Sequence, residues 1–290
     1  MKKIAGIILV ILAVILFTHS IWWSPINFFV PHTPNIDRSF AVDNGDTIEF
    51  DVTSENLTIL PTEDEELKIE VTGRDLNRVN FQVDQEHREL KINLNPKWYS
   101  FSNANDLKLM VYVPRTKLIN LDVKANTRVV QVGHNQGAKW NIAFLNTEIK
   151  NGTSYFKNVK VNHFIYDGTS TDVMVDRVES KNTNIGTFSG NINISHYVGP
   201  LHLSSTSGNI RMQLDKLVGD IRTEVLSGKV DMFLPKSASF QLNTNLQSGQ
   251  LISTYPLQNK KTTTPQTTAS AGTGKFKINI EIVNGDLIIH

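Results

Sequence analysis

At 290 residues with 40% apolar side chains, the chain can bury a substantial core, and its 29 basic and 28 acidic residues leave a net charge of only +1. This balance excludes wholesale disorder and provides no overall field to gather nucleic acid or strongly anionic substrates. Cysteine is absent, which excludes disulfides, thiolate catalysis, Cys-ligated metal and a lipid-modified cysteine anchor.

Lys2 and Lys3 precede an unbroken apolar run from Ile4 to Phe17, and apolar character resumes at Ile21, Trp22 and Trp23. Residues 1–24 therefore predict an uncleaved transmembrane signal-anchor, since about 20 apolar residues in a helix cross roughly 30 Å of hydrocarbon. Paired lysines keep the N-terminus cytoplasmic and the two tryptophans suit the far headgroup belt, so the C-terminal domain is expected outside the cytoplasm. The alternative, a cleaved signal peptide, lacks a small-x-small site after its apolar core. Residues 25–39, with Pro25, Pro31 and Pro34, read as an extended spacer.

From residue 40 the apolar residues alternate with period two, as in Thr47-Ile48-Glu49-Phe50-Asp51-Val52 and Leu90-Lys91-Ile92-Asn93-Leu94, the signature of strands with one buried face. Residues 40–117 read as a β-rich cap or the first part of a repeat domain. The repeat itself is expected over 118–290. Its corners are Ser189-Gly190-Asn191-Ile192, Ser207-Gly208-Asn209-Ile210, Ser227-Gly228-Lys229-Val230, Ser248-Gly249-Gln250-Leu251 and the divergent Asn284-Gly285-Asp286-Leu287. The first four recur about every 20 residues, and glycine at each supplies backbone angles that other residues adopt only with strain. Such a unit cannot cover its own apolar face, so successive units must stack into a shared core. Residues 259–274, rich in Thr and carrying Lys260, Lys261, Pro265, Gly272 and Gly274, have little to bury and are expected as a flexible loop.

The Ser-Gly corners, Leu234-Pro235-Lys236 before one of them, and the closing Asn284-Gly285-Asp286-Leu287 resemble the adhesin-like DUF4097 family of bacterial β-strand-repeat envelope proteins, over roughly residues 40–290. Chain length and N-terminal anchor are similar to the member encoded with the Lia envelope-stress system of low-GC Gram-positive bacteria. The resemblance implies an all-β, right-handed β-solenoid, single-stranded β-helix-like, behind the transmembrane helix. It implies a setting in envelope stress and brings no catalytic residues.

A search for chemistry finds little. The eight histidines contain no His-Glu-x-x-His spacing, and phosphate-binding glycine loops and Gly-x-Ser-x-Gly are missing. His196 and His202 lie on neighbouring strands and could face each other. A β-helix hydrolase or lyase would need clustered carboxylates, for which Asp167, Asp172, Asp176, Asp215, Asp220 and Asp231 are the candidates by position. Trp98 and Tyr99, in a loop between strands, form a candidate aromatic ligand platform. No catalytic, cofactor-binding or metal-binding residues are assigned, and no cofactor is expected. The reading is a non-catalytic, membrane-anchored accessory or sensor of envelope stress, whose partners are the membrane through residues 4–23 and an envelope protein or the cell wall, with no nucleic acid. A surface adhesin and a carbohydrate-active wall enzyme are the alternatives.

Overall fold

The computed structural model describes residues 35–74, 76–97 and 107–290, and among these the regular elements are strands, apart from one 3-10 turn at Leu76–Arg78. The expected anchor, the spacer up to residue 34, and Trp98 and Tyr99 lie outside the described residues. Among the described residues no helix is long and apolar enough to cross a membrane.

The first strands are β1 (Asn35–Phe40), β2 (Thr47–Thr62), β3 (Leu67–Thr72), β4 (Val79–Glu86), β5 (Glu89–Pro96) and β6 (Lys108–Pro114). Three long strands follow, β7 (Asn120–Gly133), β8 (Trp140–Lys157) and β9 (Val159–Asp176). Shorter strands then come in pairs that meet at the predicted corners: β10 (Glu179–Ser189) with β11 (Ile192–Tyr197), β12 (Leu201–Ser207) with β13 (Ile210–Leu214), and β14 (Ile221–Ser227) with β15 (Val230–Phe233). The chain ends with β16 (Phe240–Ser248), β17 (Leu251–Ser253), β18 (Gln258–Thr263), β19 (Gln266–Ala271), β20 (Phe276–Asn284) and β21 (Leu287–Ile289).

Each rung consists of two strand segments joined at a corner, and the rungs stack in parallel. The first segments follow the order β5, β2, β7, β8, β9, β10, β12, β14, β20, β16. The second segments follow β6, β2, β7, β8, β9, β11, β13, β15, β21, β17. Part of the block expected as a cap or first part, β2, thus enters the stack itself. Antiparallel strands close both ends: β4 lies on β5, β3 and then β1 on β6, and β19 and then β18 on β16.

Alternation positions the core. In β12, Leu201, Leu203 and Ser205 are buried while His202, Ser204 and Thr206 face outward. In-register pairing then aligns Tyr166, Ile185, Leu203, Thr223, Ile280 and Thr244 into one inward column. Between the two faces Phe156 packs on Phe164 at 4.7 Å and edge-on to Tyr166 at 5.6 Å. Each fully buried side chain of this size contributes about 1.5–3 kcal/mol.

Three expectations need correction. Residues 35–39 of the presumed spacer belong to β1, which pairs with β3. Residues 259–274 are largely a β-hairpin, β18–β19, and β19 buries Thr267, Ala269 and Ala271 against the stack. Small inward side chains allow this strand to lie flat on the last rung. Finally, the glycine corners do form a column, but in the order Gly190, Gly208, Gly228, Gly285, Gly249. The last strands, β20 and β21, occupy the slot between β14–β15 and β16–β17.

Candidate functional site

Two structures arise where the rungs stack: a column of corners and an outward trough. At the corners Gly208 has φ of 148° and Gly228 of 151°, and a Cβ on either would overlap the carbonyl oxygen of the glycine beneath it. The residue after each glycine adds a side-chain ladder. Asp172 Oδ1 accepts from the Asn191 backbone N–H at 2.8 Å, Asn191 Oδ1 from that of Asn209 at 3.2 Å, and Asn209 Oδ1 from that of Lys229 at 3.0 Å. Lysine has no acceptor, so the ladder stops at Lys229 and resumes where Asp286 Oδ1 accepts from Gln250 N–H at 2.8 Å. Gly190, Gly208, Gly228, Gly249 and Gly285 are thus brought together as structural corners.

The outward residues of β14, β20 and β16 line two adjoining shallow clefts of 310 and 330 Å³. Register sets Arg222, Asn279 and Asn243 in one row across β14, β20 and β16, and Glu224, Glu281 and Asn245 in another. Neighbouring strands lie about 4.8 Å apart, so the two glutamates stand side by side. Arg222 grips Glu224, His202 Nε2 lies 3.6 Å from the same carboxylate, and Asn243 Nδ2 donates to Asn279 Oδ1 at 3.1 Å. Along one flank Phe188 and Leu226 are 63% and 50% exposed, which gives the polar trough an apolar rim.

The aspartates named from sequence do not converge. Asp172 serves the corner ladder, Asp220 accepts from Lys277 N–H at 2.8 Å, and Asp231 pairs with Lys229 at 3.1 Å. Asp176 is held below the usual carboxylate range. Its partial burial works the other way, but hydrogen bonds from His196 at 3.0 Å and Ser195 at 2.9 Å and the charge of Arg177 outweigh it. His196 and His202 do not face each other: His196 lies on a second segment, β11, and pairs with Asp176, whereas His202 lies on a first segment, β12, beside Glu224. Among the described residues no group of three His, Cys, Asp or Glu side chains is placed to hold a metal ion. Glu224 and Glu281 were not singled out from sequence, because their adjacency depends on β20 pairing with β14.

With the stacked rungs and corner column in view, the family can be assigned, since the description Toastrack DUF4097 matches residues 46–290. The chain belongs to the Toastrack DUF4097 family. The Toastrack body is similar to the crystal structure of a "putative adhesin" from Bacteroides fragilis, at 13% identity over 90% of this chain and 99% of that chain, with a TM-score of 0.53. A "putative lipid binding protein" from Parabacteroides distasonis matches at 13% identity over 88% of this chain and 96% of that chain, with a TM-score of 0.41. No curated protein sequence matches this Toastrack chain.

Proposed function

We propose that this Toastrack protein is a non-catalytic, membrane-anchored binding protein on the extracytoplasmic side of the cell envelope. It acts as an accessory or sensor in envelope stress through protein or cell-wall contacts. The single observation that carries this reading is the outward trough over β14, β20 and β16, where in-register amides, carboxylates and one arginine form a repeating polar surface open along its length. Such a surface suits an extended partner gripped at several rungs.

The apolar run Ile4 to Phe17 after Lys2 and Lys3 supports the anchor, with the N-terminus cytoplasmic. A right-handed coil accords with the handedness of nearly all parallel strand connections. The two glutamates of the trough do not favour hydrolysis. Glu224 is held by Arg222 and lies 3.6 Å from His202, so its carboxylate is already committed within the trough. Surface adhesion is a second reading, which would use the same trough and its rim of Phe188 and Leu226.

Proximity crosslinking with mass spectrometry, in membranes of the producing cell with and without a wall-active antibiotic, tests the proposal. Reproducible capture of envelope-stress membrane proteins is the expected result. Capture of cleaved glycan fragments alone would overturn it in favour of an enzyme.

A further inference from the structure

A second surface, separate from the trough, carries a different chemistry. Near the start of the first segments lies a cleft of 440 Å³ lined by Arg115, Lys117, Asn141, Lys160, Asn162 and Lys181, among others. One wall is the turn after β6, which the backbone pins firmly. Arg115 N–H donates to Thr62 O at 2.9 Å, Lys117 N–H to Pro114 O at 3.2 Å, and Leu118 N–H to Asn44 Oδ1 at 2.7 Å. The other wall comes from successive rungs, on which Asn141 of β8, Lys160 of β9 and Glu179 of β10 stand in register.

Charge in this cleft is unbalanced in a specific way. Arg115 donates to Glu63 at 2.6 Å and to Ala138 O at 2.9 Å, and Lys117 pairs with Asp43 at 3.2 Å. Those two cationic side chains are only 25% and 29% exposed, whereas Glu63 and Asp43 are 77% and 88% exposed. The cations are therefore held by the fold, and their counter-ions reach in from solvent. Glu179 is shared between Lys160 at 2.8 Å and Lys139 at 3.6 Å, and Lys181 makes no ion pair among the described residues. Exposed ion pairs are worth little and are easily exchanged, so an anion of higher charge can take the place of Asp43 and Glu63. A phosphate accepts from guanidinium, ammonium and amide donors together, and this cleft presents all three.

We propose that this cleft is a phosphate-binding site, for the phosphate of an anionic lipid headgroup or for a soluble phosphate ester. The site does not depend on the trough, so failure of one leaves the other standing.

Calorimetric titration of the full chain in neutral detergent provides the test, with two probes at low salt: glycerol 3-phosphate, and micelles doped with phosphatidylglycerol. Binding is expected to weaken as salt rises. The K117E/K181E variant should lose about tenfold or more in affinity. K260E/K261E, the same charge change on exposed β18, should shift it less than about twofold. D43N/E63Q, which removes the competing carboxylates, should tighten it. Heat with glycerol 3-phosphate assigns a soluble ester, and heat with doped micelles alone assigns a headgroup. Absence of heat with either probe, or equal loss in both lysine double variants, would overturn the site.

Discussion

Gly228 stacks against Gly285 and not against Gly249, the next corner glycine in the sequence. After β15 the chain leaves one slot empty, builds the outer rung β16–β17 and the β18–β19 hairpin, and only then returns to fill the gap with β20–β21. Strands β20 and β21 are thus an interior rung of the stack, although they follow the outer rung in the sequence.

Truncation after Gly274 should therefore abolish folding rather than shorten the stack by one unit. It would remove Ile278, Ile280, Ile282, Leu287 and Ile289, all buried. At about 1.5–3 kcal/mol each, their loss is comparable to the whole stability of a domain, about 5–15 kcal/mol. Circular dichroism and solubility of the truncated chain check this; a soluble, cooperatively unfolding product would contradict the order of rungs.

Gly208→Ala is expected to cost about 3 kcal/mol or more, because the new Cβ meets the Gly190 carbonyl while φ stays at 148°. Gly137→Ala serves as the comparison. It also has positive φ, 85°, but its Cβ would meet only a His134 ring atom at 3.5 Å, so about 1 kcal/mol is expected. Denaturant midpoints of the two variants separate strain from collision.

Asn209→Ala should destabilise by about 1 kcal/mol, since it removes the acceptor of the Lys229 N–H. Asn209→Asp keeps that acceptor and should recover most of the loss. Equal destabilisation by both would mean that the acceptor for Lys229 N–H is not what Asn209 contributes at this rung.

Tyr197 should make the protein sensitive to alkali. Burial pushes its hydroxyl up to about 12, only partly offset by hydrogen bonds with the Thr183 hydroxyl at 2.7 Å and Ser180, and Pro200 O lies at 2.9 Å as an acceptor for its single proton. An unfolded tyrosine ionises near 10, so the unfolded state gives up its proton first. The phenol's contribution is complete below about pH 10 and is lost as pH rises through about 12. Denaturation midpoints measured from pH 9 to 12 should fall more steeply for the native chain than for Tyr197→Phe.

Amide exchange should be slow in β19, which pairs with β16 on one side and β18 on the other. A mobile tract would exchange within the dead time. Protection at Thr267 and Ala269 distinguishes the two.

Much of the body was legible because strands write themselves locally. Leu201-His202-Leu203 alternates whatever surrounds it, and Ser207-Gly208 marks a corner because only glycine tolerates that φ at so close an approach. The β19 strand escaped notice because its inward residues, Thr267, Ala269 and Ala271, are small and barely register as apolar. Glu224 and Glu281 looked like ordinary wet positions on two distant strands. Nothing in either strand reveals that β20 will lie beside β14. The same holds for Lys117 and Lys181, which come to line one cleft only after several rungs have stacked.

By itself, then, the amino-acid sequence determined the all-β class, the two-segment rung and the glycine at its corner, since alternation and backbone angle are properties of a few adjacent residues. Tertiary structure alone decided the order of the rungs, the interior place of β20 and β21, and the two surfaces where function is proposed. Strand edges are chemically alike, so the choice of neighbour comes from packing the whole stack, and outward side chains become a site only when that choice sets them side by side.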